Sequence, residues 1–289
     1  MPLSLRELHT SCQPLVCPLA HDALSARLIE RAGFRAMNVG GSALIAARYA
    51  LPDVGIAGLG EMVSGVRDIL AATDLPFLVD ADDGYGDEKN VTRTVQLYEK
   101  MGVAGLVFED ASWTVESPPA RLGQRIAPLD IIERKLRAAI SARANGDMVI
   151  IGRTNAAATE GLDEALRRAR RFREIGVDGV FVAGLKTREQ YARVGDAFRN
   201  EWNIAAIPEG STPWLSPAEL HAMGFSQIFY PNILIGRAAR AIEQGLERLK
   251  RFVDGDSEAF SGGERELGTK ALSEALCSDA WRDAATRFA

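Results

Sequence analysis

The chain of 289 residues lacks the features that mark disulfide scaffolds, membrane proteins and exported proteins. Its 3 cysteines are odd in number and none has metal-site spacing, which predicts reduced thiols and a cytoplasmic protein. No apolar run approaches the roughly 20 residues of a membrane span, and the first residues do not have the pattern of a signal peptide. A net charge of −5 argues against nucleic acid as a partner. We therefore expect neither a membrane nor a nucleic-acid partner.

A repeated pattern of a glycine followed by a short apolar run indicates alternating helices and strands. Gly33, Gly102, Gly176 and Gly224 each follow a helical pattern and fit the left-handed position that ends a helix. The short apolar runs that follow these glycines in the sequence are typical of strands buried on both faces. Eight strands are expected, near residues 14–19, 35–40, 76–80, 104–109, 148–153, 179–183, 203–207 and 227–231.

The alternation predicts an α/β fold with parallel strands and right-handed crossovers. Eight units favour a closed (β/α)₈ TIM-type barrel. An open doubly wound sheet is the alternative, but no Gly-x-Gly-x-x-Gly follows the first strand to hold a dinucleotide. We expect the barrel over residues 1–253 and a helical extension over 254–289, which packs on the barrel or on a neighbouring subunit.

The strongest functional signal is an apolar strand that runs into a cluster of carboxylates and glycines at 76–86. Like charges a few Å apart repel and raise each other's pKa, so Asp80, Asp82 and Asp83 favour a bound cation. Mg²⁺ is the expected ion because it prefers carboxylate oxygens and water. The alternative is a solvated Asp-Gly turn that caps the next helix.

Other strands of the predicted barrel also end in polar residues, and these residues should lie at the same end of the barrel, which we call its mouth. Glu109 follows one strand, and Arg153 follows the next. Arg153 suits bidentate binding of a carboxylate, although a structural salt bridge to Glu109 is an alternative interpretation. Backbone N–H groups around Gly41 and Ser42 suit a second anionic group. Together these residues predict Mg²⁺ and a small anionic substrate.

These segments resemble the isocitrate lyase and phosphoenolpyruvate mutase superfamily over nearly the whole chain. The matching segments are His21–Ala26, Gly41-Ser42, Leu51-Pro52-Asp53, Asp80–Gly86, Glu109-Asp110, Gly152–Ala156 and Thr212-Pro213. The resemblance implies a barrel that uses Mg²⁺, or Mn²⁺ in its place, with a last helix swapped between the subunits of a homodimer or homotetramer. It also implies a metal-stabilised enolate of a 2-oxo acid, with a C–C or C–P bond made or broken.

The resemblance also implies roles for individual residues. Metal ligands are expected at Asp80, Asp82 and Glu109, and substrate-binding groups at Asn38, Gly40, Gly41, Ser42, Arg153 and Asn232. Catalytic roles are expected for Asp53, Arg121, Gln124 and Arg153.

Several positions depart from the carbon–carbon lyases of this superfamily. In those lyases a mobile loop carries a Cys that acts as the acid, together with a His. In the corresponding loop at 119–125 of this sequence, Leu122 replaces the Cys and Gln124 replaces the His, and neither residue can donate a proton as an acid. Asn38 stands in place of a Tyr, and Ala183 in place of a Glu of the metal shell. These departures disfavour isocitrate and methylisocitrate cleavage.

Oxaloacetate decarboxylation needs the fewest groups, because CO₂ departs without a base and a metal holds the enolate charge. We therefore expect a carbon–carbon lyase acting on a small 2-oxo or 2-hydroxy dicarboxylate. Phosphonomutase or phosphonopyruvate hydrolase chemistry is the first alternative, and a non-catalytic barrel is the second. The aperiodic segment 111–127 is expected to close as a lid with Arg121, Gln124 or Arg125 facing the substrate. Packing against a neighbouring subunit is the alternative for this segment.

Overall fold

A parallel sheet forms the centre of the protein in a computed structural model that describes residues 3–112, 125–208, 210, 214–260 and 269–287. Nine strands join in the order β1-β11-β10-β9-β8-β5-β4-β3-β2, and β6 pairs separately with β7. The strands are β1 (Leu15–Val16), β2 (Leu19–Ala20), β3 (Met37–Val39), β4 (Phe77–Asp80), β5 (Gly105–Glu109), β6 (Ala111–Ser112), β7 (Arg125–Ile126), β8 (Val149–Thr154), β9 (Gly179–Val182), β10 (Trp202–Ala206) and β11 (Gln227–Phe229).

The sheet closes through its first two strands. Leu15 pairs with Gln227 of β11, and Leu19 pairs with Asn38 of β3, all in parallel. Between them, Cys17 N donates to Ile228 O at 2.9 Å, and Asn38 N donates to the Pro18 carbonyl at 2.9 Å. Because proline has no N–H, the 15–20 segment is one barrel strand interrupted at Pro18. The predicted (β/α)₈ barrel is confirmed, and the open doubly wound sheet is wrong.

Helices surround the barrel and follow the predicted alternation. Gly102, Gly176 and Gly224 cap their helices in the left-handed conformation, as the sequence predicts, and Gly33 lies one residue beyond the cap Ala32. The helices are α1 (Leu5–Ser11), α2 (Ala23–Arg31), α3 (Gly41–Tyr49), α4 (Leu59–Leu70), α5 (Glu88–Met101), α6 (Leu129–Ala142), α7 (Ala156–Thr159), α8 (Leu162–Ile175), α9 (Arg188–Ala197), α10 (Pro217–Met223), α11 (Ile233–Val253), α12 (Thr269–Ala275) and α13 (Ser278–Thr286).

Helix α1 closes the bottom of the barrel. Its buried Leu5 and Leu8 join an apolar cluster with Leu78, Ile151 and Ile204 of the barrel strands. Because side chains fill the interior from this end, open space within the barrel is left at the opposite end, where the strands finish.

The long helix α11 presents an apolar face that the described part of the chain does not cover. None of its residues is buried, and Ile242, Leu246, Leu249 and Phe252 are exposed. The face fits the predicted exchange of C-terminal helices between subunits, which stays a prediction, as does the division at residue 253. None of the described helices is both long enough and apolar enough to span a membrane.

His9 links the stability of the closed barrel bottom to pH. Its ring stacks on Trp202 at a centroid distance of 3.9 Å, and its Nε2 lies 2.8 Å from Ser226 Oγ. Burial, together with the nearby Arg6, lowers the pKa of His9 from 6.5 to about 4. Between these values the unfolded chain binds a proton that the folded protein does not. The free energy of unfolding should therefore fall as the pH drops from 6.5 towards 4.

The variant His9→Gln tests this dependence, because glutamine keeps a polar group near Ser226 but does not titrate. Urea unfolding at a series of pH values should give a shallower loss of stability in the variant than in the unmodified protein. Equal slopes would show that His9 does not contribute to the pH dependence.

Candidate active site

The carboxylates predicted at the strand ends meet at one edge of the barrel. Asp80 is the last residue of β4, and its Oδ1 accepts a hydrogen bond from Asp82 N at 3.2 Å. The Asp82 carbonyl accepts from Glu109 N at 2.8 Å, which ties this turn to the end of β5. Asp82 has a φ of 48°, a left-handed backbone conformation in which Asp is one of the more tolerated residues. The geometry therefore fixes Asp80, Asp82 and Glu109 as neighbours.

Burial and the repulsion of neighbouring carboxylates make Asp82 and Glu109 costly to ionise. Burial is the main cause that raises the pKa of Asp82 well above its ordinary value, and Asp80 and Glu109 raise it further. Burial also raises the pKa of Glu109 to about 7, although Arg153 opposes the shift. Such a site is stabilised by positive charge.

Arg153 supplies positive charge from β8. Its Nη1 lies 3.0 Å from Asp80 Oδ2, and its Nη2 lies 2.9 Å from Glu109 Oε2. The guanidinium also donates to Asn155 Oδ1, and its centre lies 5.3 Å from the centroid of the Phe181 ring. The salt bridge to Glu109 that the sequence left as an alternative is therefore present. Arg153 nevertheless borders open space, because it also lines the cavity.

A cavity of about 240 Å³ opens at this end of the barrel. Its wall includes six of the predicted site residues, and apolar side chains such as Phe181, Ile204 and Phe229 form much of the remainder. The predicted residues in the wall are Asn38, Gly40, Ser42, Asp53, Asp80 and Arg153. Asp82 borders a second cavity of about 320 Å³, together with Tyr85.

Other predicted site residues lie outside the wall of the first cavity. Gly41 lies next to the carboxylate cluster, because a Cβ at this position would be 3.3 Å from Asp82 Oδ1. Asn232 is exposed beside the mouth, where its Oδ1 lies 3.5 Å from Ser42 Oγ. Arg121 and Gln124 lie outside the described residues, so their predicted roles stay predictions.

Sequence reasoning assigned no role to three residues of this region. Asn155 Nδ2 donates to Glu109 Oε2 at 2.9 Å, and its position directly after the Arg-Thr pair was an available signal. Phe181 and Gln227 lie in apolar runs that resemble ordinary core strands, and nothing in the sequence distinguishes them.

The segment 111–127, predicted to have no strand pattern, begins and ends as a pair of short strands. β6 and β7 pair antiparallel, so this part of the prediction is wrong. Next to these strands, Ala127 N donates to Asp110 O at 2.7 Å. Arg168 Nη1 donates to both Asp110 Oδ2, at 3.2 Å, and Ala127 O, at 2.8 Å. Arg168 therefore joins both ends of the segment at the edge of the site.

The donor set fits Mg²⁺ bound partly by water. In the described ranges, no three Asp, Glu, His or Cys side chains are arranged to hold one ion by themselves. Mg²⁺ usually takes one or two carboxylates and completes its shell with water and substrate. Asp82, whose carboxylate accepts no hydrogen bond from the described residues, is the best-placed direct ligand, and Asp80 is next to it.

Comparison with known proteins identifies the family. The family model described as phosphoenolpyruvate phosphomutase matches residues 5–250. The chain belongs to this family. The resemblance inferred from the sequence motifs is therefore confirmed.

Relatives that are named for enzyme activities match most of the chain. The 2,3-dimethylmalate lyase of Eubacterium barkeri is 35% identical over 238 residues, which are 82% of each chain. An oxaloacetate decarboxylase of Bradyrhizobium sp. (strain ORS 278) is 34% identical over 285 residues, which are 97% of this chain and 95% of that one.

Two solved structures that contain ligands have a fold similar to that of this chain. Oxaloacetate acetylhydrolase in complex with 3,3-difluorooxalacetate has a TM-score of 0.87 at 28% identity, over 98% of this chain and 96% of its own. Phosphonopyruvate hydrolase in complex with oxalate and Mg²⁺ has a TM-score of 0.83 at 27% identity, over 98% and 97%.

The Asp110–Arg168 pair should be important for stability. The side chain of Asp110 is fully buried and that of Arg168 is 9% exposed, so Arg168→Met leaves a buried carboxylate that keeps its hydrogen bonds from Thr154 and Asn155 but has lost its cation. We expect the free energy of unfolding to fall by about 3–5 kcal/mol in urea titrations. Arg167→Met is the matched control on the same helix, because its pair with Glu164 is exposed and should change stability by about 1 kcal/mol or less. Equal losses in both variants would contradict this account.

Proposed function

We propose that the protein is a Mg²⁺-dependent carbon–carbon lyase, with Mn²⁺ able to replace Mg²⁺, that decarboxylates oxaloacetate or a closely related 2-oxo dicarboxylate. The observation that carries the proposal is Arg153, which borders an apolar cavity and contacts both Asp80 and Glu109. The oxaloacetate decarboxylase and dimethylmalate lyase relatives support carbon–carbon chemistry. The proposal includes a cytoplasmic location and a homodimer or homotetramer.

Different residues of the mouth would bind the two anionic groups of the substrate and the metal ion. Arg153 orients one substrate carboxylate through its planar set of donors. Helix α3 begins at the cavity with Gly40 as its N-cap, so its first N–H groups suit a second anionic group. Asp80 and Asp82 would hold Mg²⁺, with Glu109 acting through Arg153 or water. Bound there, Mg²⁺ stabilises the negative charge that develops on the 2-oxo oxygen.

The chemistry of the cavity wall favours decarboxylation over aldol-type cleavage. Its described lining contains no His, Cys or Lys, and Asp53 lies at the exposed rim. Aldol-type cleavage needs a base for the 2-hydroxyl group and an acid for the leaving product. Decarboxylation requires no base for bond breaking. The apolar walls at Phe181, Ile204 and Phe229 also limit water around the reacting atoms.

Carbon–phosphorus chemistry is the second candidate, favoured by the likeness to phosphonopyruvate hydrolase. The purified protein with Mg²⁺ should be tested against oxaloacetate, 2-methylisocitrate, 2,3-dimethylmalate and phosphonopyruvate, with product detection. Pyruvate and CO₂ formed from oxaloacetate above the rate of Mg²⁺ alone would support the proposal. Phosphate released from phosphonopyruvate alone would establish the second candidate instead.

Removal of the best-placed metal ligand should strongly reduce turnover. Asp82→Ala should lower kcat by about 100-fold or more, because positive charge at the reacting oxygen is lost. The variant should keep its circular dichroism spectrum and no longer show a Mg²⁺-dependent rise in Tm. Glu243→Gln, on the exposed face of α11, is the control and should behave as the unmodified protein. Full activity of Asp82→Ala, or of the unmodified protein in excess chelator, would contradict the metal assignment.

The predicted lid residues should affect substrate binding more than the fold. Arg121→Ala should raise KM about 10-fold if Arg121 pairs with a substrate carboxylate, because a hydrogen bond to a charged group is lost. Gln124→Ala should cause a smaller increase. Steady-state kinetics and limited proteolysis with and without oxalate test the pair. Unchanged kinetics and equal cleavage would exclude a lid role for both residues.

A further inference from the structure

A chain of polar side chains crosses the otherwise apolar interior of the barrel. Trp202 Nε1 donates to Gln227 Oε1 at 2.7 Å, and Gln227 Nε2 donates to Asn38 Oδ1 at 3.1 Å. Gln227 is completely buried, whereas Asn38 is 7% exposed and lines the active-site cavity. Burying amide groups among apolar side chains is unfavourable unless they are hydrogen-bonded, so this chain is a specific feature of the interior.

The indole of Trp202 fixes the direction of every bond in the chain. Its Nε1–H can only donate, so Gln227 must turn its oxygen towards Trp202 and its Nε2 towards Asn38. Asn38 must then accept through Oδ1. The second donor of Gln227 Nε2 lies 3.4 Å from Cys17 Sγ, so both amide groups of Gln227 have partners.

The remaining end of Asn38 is therefore a donor. Its Nδ2 carries two N–H groups, and Nδ2 makes no hydrogen bond within the described part of the chain. Asn38 pairs with Leu78 in the β3–β4 register. Because Leu78 comes two residues before Asp80 on β4, Asn38 lies one layer of interior side chains below the carboxylates. Around it the cavity floor is lined by Leu19, Val107 and other apolar side chains.

We propose that Gln227, held by Trp202, is a positioning residue that keeps the amide of Asn38 turned as a hydrogen-bond donor to an oxygen of the bound substrate. The inference rests on the proposed function and refines its substrate class. The floor of the cavity should select a 2-oxo dicarboxylate that places a carboxylate or carbonyl oxygen there, over an analogue that places an alkyl group there. Without Gln227 the Asn38 amide can turn over and present Oδ1, which repels an anion.

The variant Gln227→Met tests the positioning role without altering a residue that contacts the substrate. Methionine keeps the volume and the burial but none of the three hydrogen bonds that Gln227 makes to Trp202, Asn38 and Cys17. In calorimetry with Mg²⁺, the Kd of 3,3-difluorooxaloacetate should rise about 5-fold. Asn38→Leu should raise it at least about 10-fold, because a hydrogen bond to a charged group is lost.

Asn203→Leu is the matched control, because Asn203 is a completely buried amide on the neighbouring strand β10. Its side chain faces helix α9, where it donates to Val194 O at 3.4 Å. This variant should lower Tm but leave the Kd unchanged. If it weakens binding as much as Gln227→Met does, general destabilisation explains the result and the proposal is wrong.

A double-mutant cycle separates positioning from packing. The hydroxyl of Ser rotates freely and needs no partner to present its donor, so in an Asn38→Ser background Gln227→Met should have no further effect on the Kd. Equal effects of Gln227→Met in both backgrounds would overturn the proposal.

A measurement without ligand decides the orientation independently. In ¹⁵N-labelled protein, the Gln227 Nε2 protons should exchange slowly with solvent and the Asn38 Nδ2 protons quickly. The reverse order would overturn the proposal whether or not a ligand binds. If the unmodified protein binds neither 3,3-difluorooxaloacetate nor oxalate with Mg²⁺, the proposed function fails instead. If it binds 3,3-difluorooxaloacetate and Gln227→Met binds it equally well, only the positioning role fails.

Discussion

The contacts of Arg153 with Asp80 and Glu109 are the interaction on which the rest of the site depends. The parallel register places Arg153 directly opposite Glu109 on the neighbouring strand, and the length of the guanidinium side chain lets it also reach Asp80, one strand further. Without this cation, the half-buried Asp80 and the buried Glu109 would repel each other across a medium that screens charge poorly. The barrel and its mouth are therefore stabilised by the same side chain that would bind a substrate carboxylate.

The turn after β4 separates a structural carboxylate from those of the site. Lys135 Nζ lies 2.8 Å from Asp83 Oδ2. Asp83 is therefore paired with Lys135 and does not join Asp80 and Asp82 in the site. This arrangement requires an unusual backbone, with φ at 48° for Asp82 and 62° for Tyr85. At Gly84 a Cβ would lie 2.3 Å from a methyl group of Val91, so only glycine fits. Strain of about 1–3 kcal/mol per residue is tolerated here because the surrounding contacts fix the turn.

The sequence predicted the barrel and the mouth because both have local signals. Apolar runs and helix-ending glycines identify strands and helices, and a carboxylate directly after a strand must lie at the edge of a parallel barrel. Which side chains pair with each other could not be predicted in this way, because such pairs join residues that are far apart in the sequence. In the sequence Asp83 resembles the other carboxylates of the predicted cation site, but in the structure it pairs with Lys135 of α6. Likewise, Gln227 in an apolar run gives no sign that it faces Asn38, 189 residues away in the chain.

A charged mouth at the end of a barrel does not by itself determine which bond is broken. Relatives named for lyase and decarboxylase activities match 82% and 97% of the chain, and similar structures named for acetylhydrolase and phosphonopyruvate hydrolase activities each cover 98% of it. Function on one fold differs through the residues that line the site. In this protein the lining below Arg153 is apolar except at Asn38, so electrostatic contacts there are poorly screened. A single fixed amide in such a wall discriminates an oxygen from an alkyl group more strongly than it would in water, because the wrong partner leaves it buried and unpaired.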